Sequence, residues 1–372
     1  MINQLDDLTA RKATSKMLPL ATAIEKNIPL YNCSDLATCL TDPKKRSELK
    51  AELATALLSG PGAFVLQGAY ADPAILDDVS ALFKTIINQE KANKGEGADH
   101  FAAAGNNDRI WNSLEKLCLA SPKTFALYHG NLWIELASEA WLGPAFQMTA
   151  QVNLVRPGGK AQEGHCDYHL GFMTRDQVLT FPPHVHAMSA QLTLQGAVAH
   201  CDMPIESGTT KLLPFSQMWP GNYANFREPK VRELFDARHV QLPLSKGDVL
   251  FFSPGLMHGA GENKTSDVER LANLLQVSSA LGQAMESINR NKMCRLVYPV
   301  LRQEGWDAAF NASVIASTGE GYPFPTNLDT DPPVGGLAPP SQQDLMRQGL
   351  QEGWDEATFN QKMDERENRR RF

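Results

Sequence analysis

Met148-Thr-Ala-Gln151-Val-Asn-Leu154-Val-Arg156-Pro-Gly-Gly-Lys-Ala-Gln162-Glu-Gly164-His165-Cys166-Asp167-Tyr168-His169 joins an alternating segment to a Pro-Gly-Gly turn, and then to a histidine and an aspartate two residues apart. Met148, Ala150, Val152 and Leu154 alternate with Thr149, Gln151 and Asn153, which predicts a half-buried strand. On an extended chain beyond the turn, His165 and Asp167 point to the same side, so an imidazole nitrogen and a carboxylate oxygen can serve one metal ion. Taken alone, a His-x-Asp tripeptide is more often a satisfied polar pair than a metal site. The surrounding sequence must supply the rest.

A third ligand is available in Asp248-Val-Leu-Phe-Phe-Ser-Pro-Gly-Leu-Met-His258-Gly, which reads as a strand delivering a histidine just past its end. Two histidines and one carboxylate on one face leave metal positions open, the arrangement that suits non-haem Fe(II) and O2 chemistry. Arg270 follows His258 and opens an apolar strand (Leu271, Leu274, Leu275, Val277) that would return it to the metal. A guanidinium there suits bidentate capture of a dicarboxylate and would be costly to bury without one.

Working outward, Leu49, Leu53 and Leu57 form one helical stripe over 44–58, followed by a short buried strand at Ala63–Leu66. Asp72-Pro73 starts a second helix, whose Ile75, Val79, Leu82 and Ile86 carry it to about Asn88. Lys91–Asp108 is rich in Gly, Ala, Asn and Asp and predicts a mobile loop bordering a site, before more helix up to Trp141. Further strands are expected at Ala190–Val198, His239–Leu242, Val249–Ser253 and Leu271–Ser278. Short strands between Pro/Gly turns point to an antiparallel sandwich or barrel, so helices followed by a sheet give an α+β plan.

The last 90 or so residues contain a Pro/Gly-rich segment, Gly319–Pro340, expected to wrap a surface as ordered loop. Gln303-Glu-Gly305-Trp306-Asp307-Ala-Ala-Phe310-Asn311 recurs as Gln351-Glu-Gly353-Trp354-Asp355-Glu-Ala-Thr-Phe359-Asn360 with one insertion, read as a pair of helix starts that each bury a Trp and a Phe. The expected division is an N-terminal extension (1–43), an oxygenase domain (44–280, with a helical lead-in 44–145 and a β core 146–280), and a C-terminal helical and loop extension (281–372) packing on the core.

Three blocks resemble, in order, the phytanoyl-CoA dioxygenase family of Fe(II)/2-oxoglutarate oxygenases. Arg156-Pro-Gly-Gly through His165-Cys-Asp167 looks like that family's turn and His-x-Asp motif. Ala199-His-Cys-Asp202-Met-Pro-Ile-Glu206-Ser-Gly208 through Pro214-Phe-Ser216 is similar to its acidic block. Lys246-Gly247-Asp248 through His258 and Asn263 to Arg270 looks like its Gly-Asp strand, distal histidine and cosubstrate arginine. Departures are Gly164, often aromatic in such proteins, Gln217, often histidine, and Ala260, often a hydroxyl residue.

The resemblance implies a double-stranded β-helix, or jelly roll, with His165, Asp167 and His258 holding Fe(II) and Arg270 anchoring 2-oxoglutarate. Gln162 and Gln151 are named as helpers of the cosubstrate, and Tyr168 and His169 as substrate contacts because they follow the metal ligands. It also implies that O2 is consumed and an unactivated C–H bond of a small organic molecule is hydroxylated or otherwise oxidised, with succinate and CO2 as co-products. The retained Asp167 favours such oxidation over halogenation. Shielding of the site is expected from the 91–108 loop and the C-terminal segment.

Two competing clusters are set aside. His200-Cys201-Asp202 falls in the acidic block, and His184-Val-His186 lacks the glutamate a cupin site wants a few residues later. The alternatives in function are a jelly-roll binding protein without turnover and a cupin-like metalloenzyme that needs no 2-oxoglutarate.

Composition narrows the partners. The chain has 372 residues, 42% apolar, with a formal net charge of −7, which disfavours a continuous basic surface for nucleic acid or anionic lipid. Six scattered cysteines without a Cys-x-x-Cys pair indicate neither a zinc ribbon nor a disulfide scaffold, and a charged Met1–Lys26 without an apolar run disfavours secretion. A cytoplasmic enzyme acting on a small molecule, with no nucleic-acid or membrane partner, is the expectation.

Overall fold

A computed structural model describes residues 2–94 and 106–371. Its strands, in chain order, are β1 (Ala23–Glu25), β2 (Ile28–Asn32), β3 (Ala63–Gln67), β4 (Asn107–Ile110), β5 (Gln147–Val155), β6 (Thr193–Ala199), β7 (Lys211–Leu212), β8 (Val249–Phe252), β9 (His258–Gly259) and β10 (Arg270–Ser278). Eight of them form one sheet in the order β1-β2-β3-β8-β6-β10-β5-β4, antiparallel except for β2 beside β3. A minor sheet of β7 and β9, extended by bridges His165–His258, Leu212–Val240 and Met203–Leu244, covers its inner side. This is an α+β jelly roll with helices packed outside it.

The helices follow local chemistry. Asp42 accepts hydrogen bonds from the Lys44 and Lys45 amides and Pro43 sets the first turn, so helix 43–58 starts there and buries Leu49, Leu53, Ala56 and Leu57. Asp72 likewise accepts from the Ala74 amide, and helix 74–94 buries Val79, Phe83, Ile86 and Ile87. It outruns the expected end at Asn88. Three further helices, 113–120, 122–129 and 132–142, complete the lead-in.

Inside its exposed edge strand β1, the sheet is buried on both faces. Met148, Ala150, Val152, Leu154, Phe64, Phe251, Leu275 and Val277 pack outward against the helices in one continuous core, each large side chain stabilising the fold by about 1.5–3 kcal/mol. The opposite face turns inward to a second apolar cluster, including Val65, Leu250, Phe252 and Ala272, and to a polar cavity. β5 is therefore buried from Met148 to Val155, not half-buried: its polar alternates face the interior of the roll.

Two expected strands are corrected. Pro182-Pro183 starts a helix that runs to Gln191, so the strand expected from Ala190 begins at Thr193. His239–Leu242 makes only single bridges, at Val240 with further pairing at Leu244, because the intervening Pro243 lacks an amide proton for a ladder. Of the Lys91–Asp108 loop, Lys91–Lys94 is helical and Asn107–Asp108 lies in β4, while 95–105 fall outside the described residues.

Residues 23–32 add β1 and β2 to one edge of the main sheet. Helices 290–304 and 308–318 pack on helices 113–120, 122–129 and 132–142 and on β5, and helices 342–352 and 356–370 pack on them in turn. In the repeat, Gly305 and Gly353 adopt φ of +63° and +70° to end one helix, and Asp307 and Asp355 accept from the Phe310 and Thr358 amides to start the next. The segment 319–340 lies along the last helix, with Asp331 on Arg369 and Glu320 on Arg366 and Arg370. Among the described residues no helix is long and apolar enough to cross a membrane.

Candidate metal centre

His165 and His258 face each other across the minor sheet, each backbone amide donating to the other's carbonyl at 2.9 Å. The same ladder continues through Gln162, whose amide donates to Ala260 O (2.9 Å) and whose Oε1 accepts the Ala260 amide (3.1 Å). Gly164 is required beside it by close approach, since a Cβ there would lie 2.6 Å from the Phe235 ring. Phe235 fills the space that an aromatic residue at 164 would need. Asp167 is held by its amide on Pro254 O (3.0 Å).

One ligand atom from each of His165, Asp167 and His258 lies within 4.8 Å of the others. Nδ1 of His165 donates to Glu163 O and Nδ1 of His258 to Leu256 O, both at 2.8 Å. A carbonyl can only accept, so Nδ1 carries the proton and Nε2 of both rings presents a lone pair toward Asp167. The His165 Nε2–Oδ1 and His258 Nε2–Oδ2 distances to Asp167 are 3.6 and 3.3 Å. Burial, and then the adjacent His258, hold the His165 pKa below its ordinary value. For Asp167, burial opposes ionisation, but the imidazoles of His258 and His165 beside it and the hydrogen bond from Gln195 outweigh it and hold the carboxyl well below the usual range.

Gln195 was not singled out by sequence reasoning. Its Nε2 donates to Asp167 Oδ2 at 2.6 Å and lies 3.4 Å from Gln276 Oε1, which also accepts the Tyr168 hydroxyl. Gln195 and Gln276 are direct partners in the β6–β10 register. The available signal was their place among the polar alternates of strands otherwise made of apolar residues; on a sheet buried on both faces, such residues need an interior purpose.

The triad opens into a cavity of about 580 Å³ lined by Gln151, Gln162, Gln195, Arg270 and Gln276 among others. Arg270 is 7% exposed and forms no ion pair among the described residues, and burial lowers its pKa to about 10. Asn153 Oδ1, Gln195 Oε1 and Thr209 Oγ1 are buried on the same wall without hydrogen-bond partners among the described residues. A buried cation with no acid beside it, next to an open two-histidine, one-carboxylate set, fits a metal ion with a dicarboxylate. Gln151 lies on this wall with its Oε1 accepting from Arg109 Nη1 at 3.2 Å.

Tyr168 and His169, read as substrate contacts, do not line the cavity. Both adopt positive φ, +63° and +38°; Tyr168 is buried on Gln276, and His169 Nδ1 lies 3.3 Å from Ser189 Oγ, while the chain returns to the cavity at Gly171 and Phe172. From the C-terminal extension, Met285 is the lining residue among the described residues, and the helices that follow it lie elsewhere. Those helices cover the outer face instead. Just after the 91–108 segment, Arg109 and Trp111 reach the cavity wall.

The rival His200 is a satisfied core residue. Its Nδ1 meets Ser80 Oγ at 2.9 Å and its Nε2 the Tyr128 hydroxyl at 2.8 Å, and burial lowers its pKa to about 3. His186 Nε2 contacts the Val178 and Phe181 carbonyls. All six cysteines are free.

The sequence profile described as Phytanoyl-CoA dioxygenase (PhyH) matches residues 47–272. Dioxygenase trt7 of Aspergillus terreus (strain NIH 2624 / FGSC A1156) is 23% identical over 220 residues, 58% of this chain and 70% of that protein. Similar solved structures include SnoK, a non-heme alpha ketoglutarate dependent carbocyclase from nogalamycin biosynthesis (17% identical, 65% of this chain and 89% of that one, TM-score 0.46). AviO1 from Streptomyces viridochromogenes is 19% identical over 60% of this chain and 93% of that one, with a TM-score of 0.45. With more than half of its length matching that profile, the chain belongs to the phytanoyl-CoA dioxygenase family, which uses Fe(II), 2-oxoglutarate and O2.

Proposed function

We propose that this protein is a dioxygenase that hydroxylates or otherwise oxidises an unactivated C–H bond of a small organic molecule. The observation that carries the reading is the convergence of His165, Asp167 and His258 within 4.8 Å, with both imidazoles locked by carbonyls into the tautomer that offers Nε2. These three residues hold Fe(II). The chemistry that Fe(II) supplies there, with 2-oxoglutarate and O2, is C–H oxidation with succinate and CO2 as co-products.

The chain's own residues do the positioning. Arg270 pairs with the far carboxylate of 2-oxoglutarate, where the apolar wall of Met203, Leu244, Phe252 and Ala272 excludes water and strengthens the pairing. Gln195 orients Asp167 by donating to Oδ2, which leaves the rest of the carboxylate for the metal. Gln162 keeps the His165 and His258 segments in register, and Gln151 and Asn153 offer polar groups to the bound molecules.

The test is to add 2-oxoglutarate to the anaerobic Fe(II)-loaded protein and record the weak visible charge-transfer band of a chelated keto-acid. The band is expected in wild type, absent in His258→Ala, and shifted to much higher 2-oxoglutarate concentration in Arg270→Ala. No band in wild type overturns the reading.

A further inference from the structure

Four arginines (109, 227, 232 and 270) and two acids (Glu163 and Asp167) line the cavity. Arg232 pairs with Glu163 at 2.8 Å. On the reading above, on which this inference rests, Fe(II) and Arg270 carry three positive charges, matched by Asp167 and the two carboxylates of 2-oxoglutarate. Arg227 is outside that balance. It is solvent-exposed and forms no ion pair among the described residues, but it is held in place: Nη1 donates to Met173 O (3.2 Å), Nη2 donates to Gly171 O (3.0 Å), and the guanidinium stacks 4.1 Å from the Phe226 ring centroid.

A guanidinium has five N–H donors, and two carbonyls cannot use them all. Arg227 lines the same cavity as His165, Asp167 and His258. Phe172, Trp111 and Met285 line the same cavity and are all more than one-third exposed, Trp111 with the Arg109 guanidinium 4.9 Å from its ring centroid. A fixed, uncompensated cation beside exposed aromatic side chains matches a molecule with an oxyanion at one end and an apolar body.

We propose that Arg227 is a substrate-recognition residue, and that the substrate class is an organic oxyanion, a carboxylate or phosphate, carried on an apolar body. Arg227 binds the oxyanion, and the body lies along Phe172, Trp111 and Met285. The 169–173 segment is coupled to this recognition because the same guanidinium holds its carbonyls.

The experiment titrates octanoate, octyl phosphate and methyl octanoate by calorimetry into the anaerobic protein loaded with Fe(II) and 2-oxoglutarate. Wild type is expected to prefer at least one oxyanion over the ester by about tenfold or more, as one charge-assisted hydrogen-bonded pair provides. Which of the two oxyanions binds better identifies the group. Arg227→Gln is expected to erase the preference while leaving the ester's affinity within about twofold, and Arg227→Lys to keep part of it. Equal binding of oxyanions and ester by wild type, a preference that survives Arg227→Gln, or equal loss for all three probes overturns the proposal; the last means that Arg227 only braces the 171–173 carbonyls. The charge-transfer band of the wild type, recorded without any probe, separates this failure from failure of the oxygenase reading, because it reports Fe(II) and 2-oxoglutarate alone. If wild type shows no band, the titration is repeated on metal-free Arg270→Ala, where an Arg227-dependent preference still upholds the oxyanion site and its absence overturns it.

Discussion

His165 and His258, far apart in sequence, are direct cross-strand partners whose amides and carbonyls bond reciprocally and whose rings sit 4.5 Å apart, centre to centre. Pairing them through the backbone fixes the spacing of two ligands before any metal arrives. His165→Ala and His258→Ala will each weaken Fe(II) binding by on the order of 100-fold or more, with the circular dichroism of the fold retained. An Fe(II) titration showing wild-type affinity in either variant would remove that residue from the ligand set.

Gln195 acts on the metal through Asp167. Gln195→Ala is expected to lower Fe(II) affinity by roughly 10- to 100-fold and to leave a residual, saturable site. Gln195→Glu places a second acid against Asp167 and should raise the pH needed for metal binding. Unchanged affinity in both variants would reduce the Gln195–Asp167 contact to packing.

Arg270→Ala removes the buried cation proposed to pair with 2-oxoglutarate. The 2-oxoglutarate dissociation constant should rise by roughly 10²-fold, consistent with about 2–5 kcal/mol for a buried charge pair broken on one side. Arg270→Lys should recover only part of this, since an ammonium cannot make the bidentate contact. Competition by glutarate, which carries both carboxylates without the keto group, should weaken in parallel.

Acid sensitivity follows from two buried histidines in the helical layer. Burial lowers the pKa of His129 to about 3, aided by neighbouring His200, whose own pKa burial also lowers to about 3. Each is near 6.5 when unfolded, so the unfolded chain binds more protons below that pH. Their contribution to stability is complete above about pH 6.5 and is lost progressively toward pH 3, at up to about 1.4 kcal/mol per pH unit for each histidine. Urea denaturation between pH 6.5 and 5 should show this slope, and His200→Gln should reduce it by about half. An unaltered slope would mean that His200 is already protonated in the folded protein.

The repeated Gly-Trp-Asp turns serve the helices, away from the cavity. Asp307→Ala and Asp355→Ala each remove a cap and should cost about 1 kcal/mol of stability, with 2-oxoglutarate binding unchanged. A loss of cosubstrate affinity without a loss of stability would tie the C-terminal helices to the site.

Much of the fold was legible because its signals are local. Asp42-Pro43 and Asp72-Pro73 mark helix starts by their own hydrogen bonds, and the strands at 63–67, 147–155, 249–252 and 270–278 follow from apolar alternation and flanking turns. The misreadings arose where a neighbour in space decided. The alternation of β5 looked half-solvated because sequence cannot say that the polar side faces a cavity.

By itself the sequence determined the order and spacing of His165, Asp167, His258 and Arg270, and the strands that carry them, because side-chain alternation and turn chemistry act over a few residues. Tertiary structure alone decided which remaining polar groups share the cavity. Gln195 meets Gln276 across 81 residues, Arg227 is pinned on Gly171 and Met173, and His200 is spent on Ser80 and Tyr128. The reason is physical: a polar side chain's role is set by whether its partner is water, another chain segment or an open site, and only the cross-strand register and packing of distant segments choose among them.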